Sequence, residues 1–327
     1  MSKKVLILGG AGFIGINLCL ILKNSGYNVT VVDTLDNSFI FSEKLFKKHD
    51  IKFIKHSILD PNFMIESVKN NDYVVNLTSS NIIDDGFFFQ ESLAQTSILG
   101  SQILLQSASH ANIKKIIIAS NMHVYGEPKP FRSKCKESSS STIPCNPLGS
   151  IKLSEEIIVK TLAKAYDQKI AIVRISECYG AYMKTHMPYS AMMSMIISSL
   201  TNTNYIAPND GEDSRDWVFV EDVCCYIKSI LEDSPQKELI ETYNICSGET
   251  KTFKEVYQYI CDVCGNKENK LSEKLVIYPF VGHLLGDNTK LIKKFGKNFN
   301  SFQDKIKLTI DWTKKNLENQ QNLFHES

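Results

Sequence analysis

Gly9, Gly12 and Gly15 are spaced GxxGxxG within the run Gly9-Gly10-Ala11-Gly12-Phe13-Ile14-Gly15. A short apolar run, Val5-Leu6-Ile7-Leu8, precedes them and an apolar helical pattern follows. Glycines there let the backbone turn tightly against a pyrophosphate, and the helix N-terminus offers the anion free N–H groups and a positive dipole end. Asp33 ends the next strand-like run, Val29 to Val32. A carboxylate at that place accepts hydrogen bonds from both ribose hydroxyls and repels a 2′-phosphate, so the expected nucleotide is NAD and not NADP. Asp36, Asn37 and Ser38 follow and extend this contact. The competing account is a ligand-free strand–helix turn with Asp33 as a turn cap. It leaves the pairing of the glycines with the second-strand acid unexplained.

These residues need a frame. Val5 to Leu8 reads as a strand covered on both faces. Phe13, Ile14, Ile16, Leu18, Cys19, Ile21 and Leu22 form the apolar side of a helix that Asn24-Ser25-Gly26 ends. Further strands are expected at Phe53-Ile54, Tyr73 to Leu77, Ile116 to Ala119, Ile170 to Ile175 and Tyr243 to Ile245, with helices at Ser92 to His110 and Ser150 to Tyr166 between them. Alternation of this kind predicts an α/β fold, a doubly wound parallel Rossmann sheet. Glu127 to Pro147, rich in Pro and Ser with Ser138 to Ser141 in a row, reads as a loop. Helices are predicted at Pro188 to Leu200, Asp222 to Leu231, Phe253 to Cys264 and Phe302 to Trp312, and a frayed polar tail from Asn316 to Ser327. The expected division is a Rossmann domain over 1–175, with a return around 214–247, and a smaller mixed substrate lobe over 176–327.

The 327 residues suit such a pair of units, and 43% hydrophobic content is enough for a sizeable core. Lys and Arg number 37 against 36 Asp and Glu, a balance that argues against a nucleic-acid partner. Apolar runs such as Ile116-Ile117-Ile118-Ala119 are far too short to span a bilayer, and Met1-Ser2-Lys3-Lys4 passes straight into a strand instead of a signal peptide. Nine cysteines show no disulfide framework, and Cys261-Asp262-Val263-Cys264 stands without a second pair. The expectation is reduced thiols in a cytoplasm, with no metal site.

Beyond the glycines the chain resembles the extended short-chain dehydrogenase/reductase family, in its branch of NAD-dependent sugar-nucleotide epimerases and dehydratases. Gly9 to Gly15 matches GGxGFIG; Val74 to Ser79 (VVNLTS) resembles VxHLAA; Ser120 to Gly126 (SNMHVYG) resembles SSxxVYG; Asn146 to Lys152 (NPLGSIK) resembles PYxxSK. Arg174 to Gly180 (RISECYG) resembles RxxNxYG, Asp210 to Val223 resembles DGxxxRDxxxVxDV, and Tyr243 to Gly248 (YNICSG) resembles YNIGSG. The matches run in order from residue 3 to about 250 and more weakly to Trp312. The resemblance implies NAD held by Gly9, Gly12, Phe13, Ile14, Gly15, Asp33, Asn37, Ser38, Ser57, Leu77, Thr78, Ser79 and Lys152. It also implies a nucleotide-diphosphate sugar contacted by Glu177 and Arg215, and a homodimer made through the two long helices. Its chemistry is hydride transfer at the sugar, usually C4. A tyrosinate takes the hydroxyl proton, a lysine four residues on holds the nicotinamide ribose, and a Ser or Thr completes the hydrogen bonds.

Lys152 stands at the lysine, but Leu148 stands at the tyrosine, Asn121 at the Ser/Thr, Ser57 at an adenine-touching Asp, and Glu177 at the Asn of RxxNxYG. Two readings follow: a nucleotide-binding protein without turnover, or an enzyme with a different base. The second is favoured, because His123 falls two residues before Tyr125 in an acid/base slot of the family and His186 six after Gly180 in another. Imidazole titrates near neutrality and suits either role. The candidate catalytic set is Lys152, His123, Asn121 and His186.

Overall fold

The computed structural model describes residues 2–36, 38–39, 41–79, 90–138, 142–184, 190–233, 238–266, 271–274 and 281–325. Its larger sheet holds seven parallel strands. In chain order these are β1 (Lys4–Leu8), β2 (Asn28–Asp33), β3 (Lys52–Lys55), β4 (Tyr73–Asn76), β5 (Lys115–Asn121), β6 (Ile170–Ile175) and, after three strands that lie elsewhere, β10 (Ile240–Ile245). Across the sheet they run β10-β6-β5-β4-β1-β2-β3. The order reverses between β1 and β4, the switch point where open α/β sheets leave a crevice for ligands.

Alternation along the strands fills both faces. Val5, Ile7, Val29, Val31, Val75 and Ile117 face a cluster with α1 (Phe13–Asn24), whereas Leu6, Leu8, Val32, Val74, Ile116 and Ile118 face the other side. That second side is covered from α3 (Pro61–Val68), α5 (Gly100–Ala108) and α6 (Pro147–Ala165). The remaining helices of this half are α2 (Ser42–Lys48) and α4 (Gln90–Ala94). The single helix expected from Ser92 to His110 is α4, a π-helical segment Gln95–Leu99, and α5. An added Cβ at Gly100 would press on the end of the Ile58 side chain, so this turn of the helix packs closely against Ile58.

The smaller lobe is mixed. β9 (Ser214–Phe219) pairs with β7 (Glu177–Tyr179) and β13 (His283–Leu284) in parallel and with β11 (Thr250–Thr252) antiparallel; β8 (Tyr205–Pro208) pairs with β12 (Leu271–Lys274). Helices α7 (Ala191–Leu200), α9 (Phe253–Cys264), α10 (Thr289–Phe295) and α11 (Phe302–His325) belong to the C-terminal part. The chain returns to the large sheet with α8 (Val220–Glu232), which packs on α1, and β10. Two sequence expectations change. The tail expected to fray from Asn316 continues α11 to His325, because no Gly or Pro interrupts its backbone hydrogen bonding. The helix expected from Pro188 starts at Ala191 with Ser190 as its cap; Pro188 itself, like part of the Ser138 to Ser141 row, lies outside the described residues. Among the described residues no helix is long and apolar enough to cross a membrane.

Candidate active site

A cavity of about 500 Å³ opens at the carboxyl ends of the central strands. Gly9, Gly12, Phe13, Ile14, Gly15, Asp33, Ser57, Leu77, Thr78, Ser79, Asn121 and Lys152 all line it. Sequence and structure meet first in the glycine turn. Gly9 has φ +74°, and a Cβ there would lie 2.9 Å from Thr78 N; a Cβ on Gly15 would lie 2.6 Å from both Gly10 Cα and Gly9 O. Gly12 caps α1 without a side chain, which leaves the N–H groups of the first helical turn, Phe13 to Gly15, directed at the cavity mouth. Asp33 braces this turn: its carboxylate accepts from Ala11 N at 3.0 Å and Leu35 N at 2.8 Å. Burial raises its pKa, against the pull of those N–H groups. Each carboxylate oxygen keeps a lone pair for a ribose hydroxyl. The residues present therefore fit a dinucleotide.

Ser38 is not among the lining residues; its hydroxyl donates to Leu35 O, closing the turn after β2. Asn37 and His186 lie outside the described residues. Thr96 and Gln95, in the π-helical segment, also reach the cavity.

At the other end, Lys152 is buried on α6. Its ammonium donates to Glu155 Oε2 at 2.8 Å, to Ala119 O at 3.1 Å and to Thr78 O at 3.4 Å, so its three protons have three acceptors. Glu155 in turn accepts from Ser101 Oγ at 2.6 Å, and Ser101 accepts from Asn76 Nδ2 at 3.0 Å. Burial raises the Glu155 pKa, with Lys152 opposing. The next residue, Glu156, takes Arg174 at both carboxylate oxygens, 2.9 and 2.6 Å, and Ser120 Oγ at 2.7 Å. Burial works to raise Glu156, but the bidentate arginine outweighs it and holds the carboxyl below the usual range. Helix α6 is thus fixed to the sheet by two buried acids, and Leu148, half-buried in its first turn, faces no such partner chemistry.

Asn121 and His123 sit where β5 runs into a short 3₁₀ turn, Met122–Tyr125. Asn121 caps that turn, its Oδ1 accepting from His123 N at 3.0 Å. The side chain of His123 meets Asn146, whose Nδ2 lies 2.9 Å from His123 Nδ1. Burial pushes the imidazole down to about 4, and Arg215 adds to the effect. Asn146 had a signal legible in sequence, an Asn immediately before a Pro that opens a helix.

Arg215 and Glu177 lie in the smaller lobe on β9 and β7. Arg215 is buried, donates to Ser214 O at 2.8 Å, and stands over the Phe253 ring at 5.2 Å. Burial lowers its pKa while Glu177, Asp213 and Glu127 oppose. Glu177 is pushed up by burial, against Arg215. Neither lines the dinucleotide cavity; Arg215 acts electrostatically on His123 from beyond it. Glu127 is a group the motifs did not indicate: Oε2 accepts from Gly282 N at 2.8 Å. Among the described residues no group of three or more His, Cys, Asp or Glu could hold a metal.

Comparison with known proteins agrees with this geometry. A trifunctional UDP-glucose 4,6-dehydratase/UDP-4-keto-6-deoxy-D-glucose 3,5-epimerase/UDP-4-keto-L-rhamnose-reductase of Arabidopsis thaliana is 23% identical over 324 residues, 97% of this chain; the chain spans about half, 48%, of that protein. A UDP-N-acetyl-alpha-D-glucosaminuronate decarboxylase of Bacillus cytotoxicus is 29% identical, over 95% of this chain and 98% of its own. Among solved structures, UDP-glucose 4-epimerase of Thermotoga maritima, determined with UDP-glucose, superposes with a TM-score of 0.87 at 26% identity, covering 96% of this chain and 100% of that one. The model of the NAD dependent epimerase/dehydratase family matches residues 5–246, well over half of the sequence, and the chain belongs to that family.

Proposed function

We propose that this chain uses NAD to modify a nucleotide-activated sugar, by oxidation–reduction or epimerisation at C4 or a neighbouring carbon, with an acid/base other than tyrosine. The observation that carries the reading is the continuity of the site: the glycine turn and Asp33 at one end of the cavity, Lys152 and Asn121 at the other, and Arg215 beyond them. Bound there, NAD supplies the hydride acceptor and donor. The rest falls to the chain. The α1 N-terminus holds the pyrophosphate, Asp33 the adenosine ribose, and Ser57 lies on the adenine side. Lys152 exchanges its longest contact, Thr78 O, for a nicotinamide-ribose hydroxyl. Arg215 holds the diphosphate of the sugar nucleotide, since a planar guanidinium suits phosphate oxygens. Glu177 lies beside that diphosphate with its pKa raised by burial and lowered by Arg215, which eases the repulsion between its carboxyl and the phosphates. Asn121 and His123 address the sugar oxygen, with His186 a candidate from the segment after β7.

The test has two parts. Denaturing the purified protein should release NAD or NADH, identified by mass; NADP in its place would contradict the Asp33 assignment. A panel of UDP- and dTDP-sugars should then show turnover with at least one. Binding without turnover across the panel would favour the second reading, a nucleotide-binding protein without activity, which Leu148 at the tyrosine position supports. We further propose a homodimer through α5 and α6. These helices pack side by side, and Ile157 on α6 and Leu99, at the end of the π-helical segment that leads into α5, are large apolar side chains left exposed, 57% and 44%. Light scattering at micromolar concentration should give twice the chain mass.

A further inference from the structure

We propose that Asn146 fixes His123 as a neutral imidazole with its proton on Nε2, so that His123 donates a hydrogen bond to an acceptor oxygen of the sugar and does not remove a proton from it. The inference rests on the nucleotide-sugar reading for the identity of the ligand, but its geometric premise stands alone.

The chain of constraints begins at the start of α6. Asn146 is the N-cap of that helix, and its Oδ1 accepts from Gly149 N at 2.8 Å. A backbone N–H only donates, so the amide oxygen must face it, and the amide nitrogen is the atom that faces His123 Nδ1 at 2.9 Å. An NH₂ group only donates, so Nδ1 must present its lone pair. The single proton of a neutral imidazole then sits on Nε2. The first turn of α6 packs closely against the 3₁₀ turn: Gly149 approaches the His123 carbonyl so nearly that any Cβ there would collide with its oxygen.

The charge state agrees with the tautomer. Arg215 on β9 is the charged group that acts on His123, and with burial it disfavours the imidazolium. Among the described residues Nε2 has no hydrogen-bond partner; His123 is not itself a lining residue of the cavity but follows Asn121, which is, by two positions and feels the charge of Arg215. A histidine so held has no lone pair to offer as a base, because Nδ1 is occupied and Nε2 carries the proton. It can stabilise charge that develops on an oxygen, and no proton changes hands in doing so. The group it takes is an acceptor oxygen such as a sugar carbonyl or the alkoxide formed from it. Asn146 is a positioning residue; His123 is the group that meets the ligand.

Asn146→Asp and Asn146→Ser separate the alternatives, since both side chains cap helices well and preserve the start of α6. In protein carrying ¹⁵N-labelled histidine, two-bond ¹H–¹⁵N spectra report the tautomer of each ring, and the His123 signal is the one absent from His123→Gln. The expected wild-type pattern is Nε2–H, unchanged from pH 8 to pH 5. Asn146→Asp should invert it to Nδ1–H, because a carboxylate accepts where the amide donated, and should raise the titration midpoint. Asn146→Ser should give a mixture. On the substrate found by the panel, Asn146→Asp should lower kcat roughly 10-fold to 100-fold with NAD still bound, the scale of a lost orienting partner, and His123→Gln about 100-fold. A wild-type His123 that carries its proton on Nδ1, or that titrates near neutrality, overturns the proposal whatever the substrate proves to be. An Asn146→Asp protein with inverted tautomer and undiminished kcat also overturns it. An Nε2–H pattern in a protein that binds no nucleotide sugar would overturn the functional reading and leave the tautomer standing.

Discussion

At the Asp33 end of the cavity the contacts are backbone: glycines packed against main-chain atoms, and a helix whose first N–H groups are left free. At the Lys152 end they are side chains drawn from β5, α6, β9 and the segment before α6, each set by a separate hydrogen bond or ion pair. The difference teaches which part of such a site tolerates change. A backbone cradle depends on the absence of a Cβ at particular places, and almost any substitution ruins it. A side-chain cluster can exchange its chemistry while the scaffold around it is kept. Leu148 and Asn121, which stand where the resemblance leads one to expect a tyrosine and a Ser or Thr, both belong to the second end.

The comparison breaks most sharply at Gly15. An alanine there would bring a methyl group within 2.6 Å of Gly10 Cα and Gly9 O, both backbone atoms that cannot rotate aside. Gly15→Ala should therefore cost about 1–3 kcal/mol in unfolding experiments and weaken NAD binding by at least tenfold. A Gly15→Ala protein with the stability and NAD affinity of the wild type would show that the turn is not the cradle described.

The same contrast explains what the sequence could and could not reveal. Glycine spacing, strand periodicity and the acid after β2 are local patterns, and each translates directly into a backbone path; hence the parallel sheet and the lining of the Asp33 end were legible. The hydrogen-bond partners of His123 and Lys152 were not. That Lys152 has all three protons engaged depends on Glu155, Ala119 and Thr78, which lie on α6, on β5 and in the loop after β4. That His123 meets Asn146 depends on a contact across 23 positions. Ser38 shows the same limit from the other side: adjacency to Asp33 in sequence does not show that the hydroxyl donates to Leu35 O within the turn.

Two substitutions sharpen the division between cofactor and substrate ends. Arg215→Ala removes a buried guanidinium that faces Glu177 and not the dinucleotide cavity. Calorimetry should show a loss of roughly 1.5–3 kcal/mol in nucleotide-sugar binding with NAD binding nearly unchanged; equal losses for both ligands would refute the assignment. Asp33→Ala should do the reverse, and more weakly, about 1.5 kcal/mol against NAD. It should also narrow the preference over NADP, since the carboxylate that repels a 2′-phosphate is gone.

The smallest effect expected is in stability against pH, and it probes the His123 end alone. In the folded chain His123 stays neutral down to about pH 4, from an ordinary value of 6.5. Below pH 6.5 the unfolded chain takes up a proton that the folded chain refuses, so the folded state loses stability as pH falls from about 6.5 to about 4 and loses no more below that. The direction is that of any group whose folded pKa is depressed: its contribution is present above the unfolded pKa and lost on acidification. His123→Gln removes the titration while keeping a donor amide, so the variant should not show this share of the acid loss. Urea unfolding at pH 7 and pH 5 should find that wild type falls further than His123→Gln by about 1 kcal/mol or less, the residue being only partly buried. Parallel slopes for the two proteins would mean that His123 titrates as freely folded as unfolded. The contact between Asn146 and the 3₁₀ turn would then not hold in solution, and this end of the site would be looser than its hydrogen bonds imply.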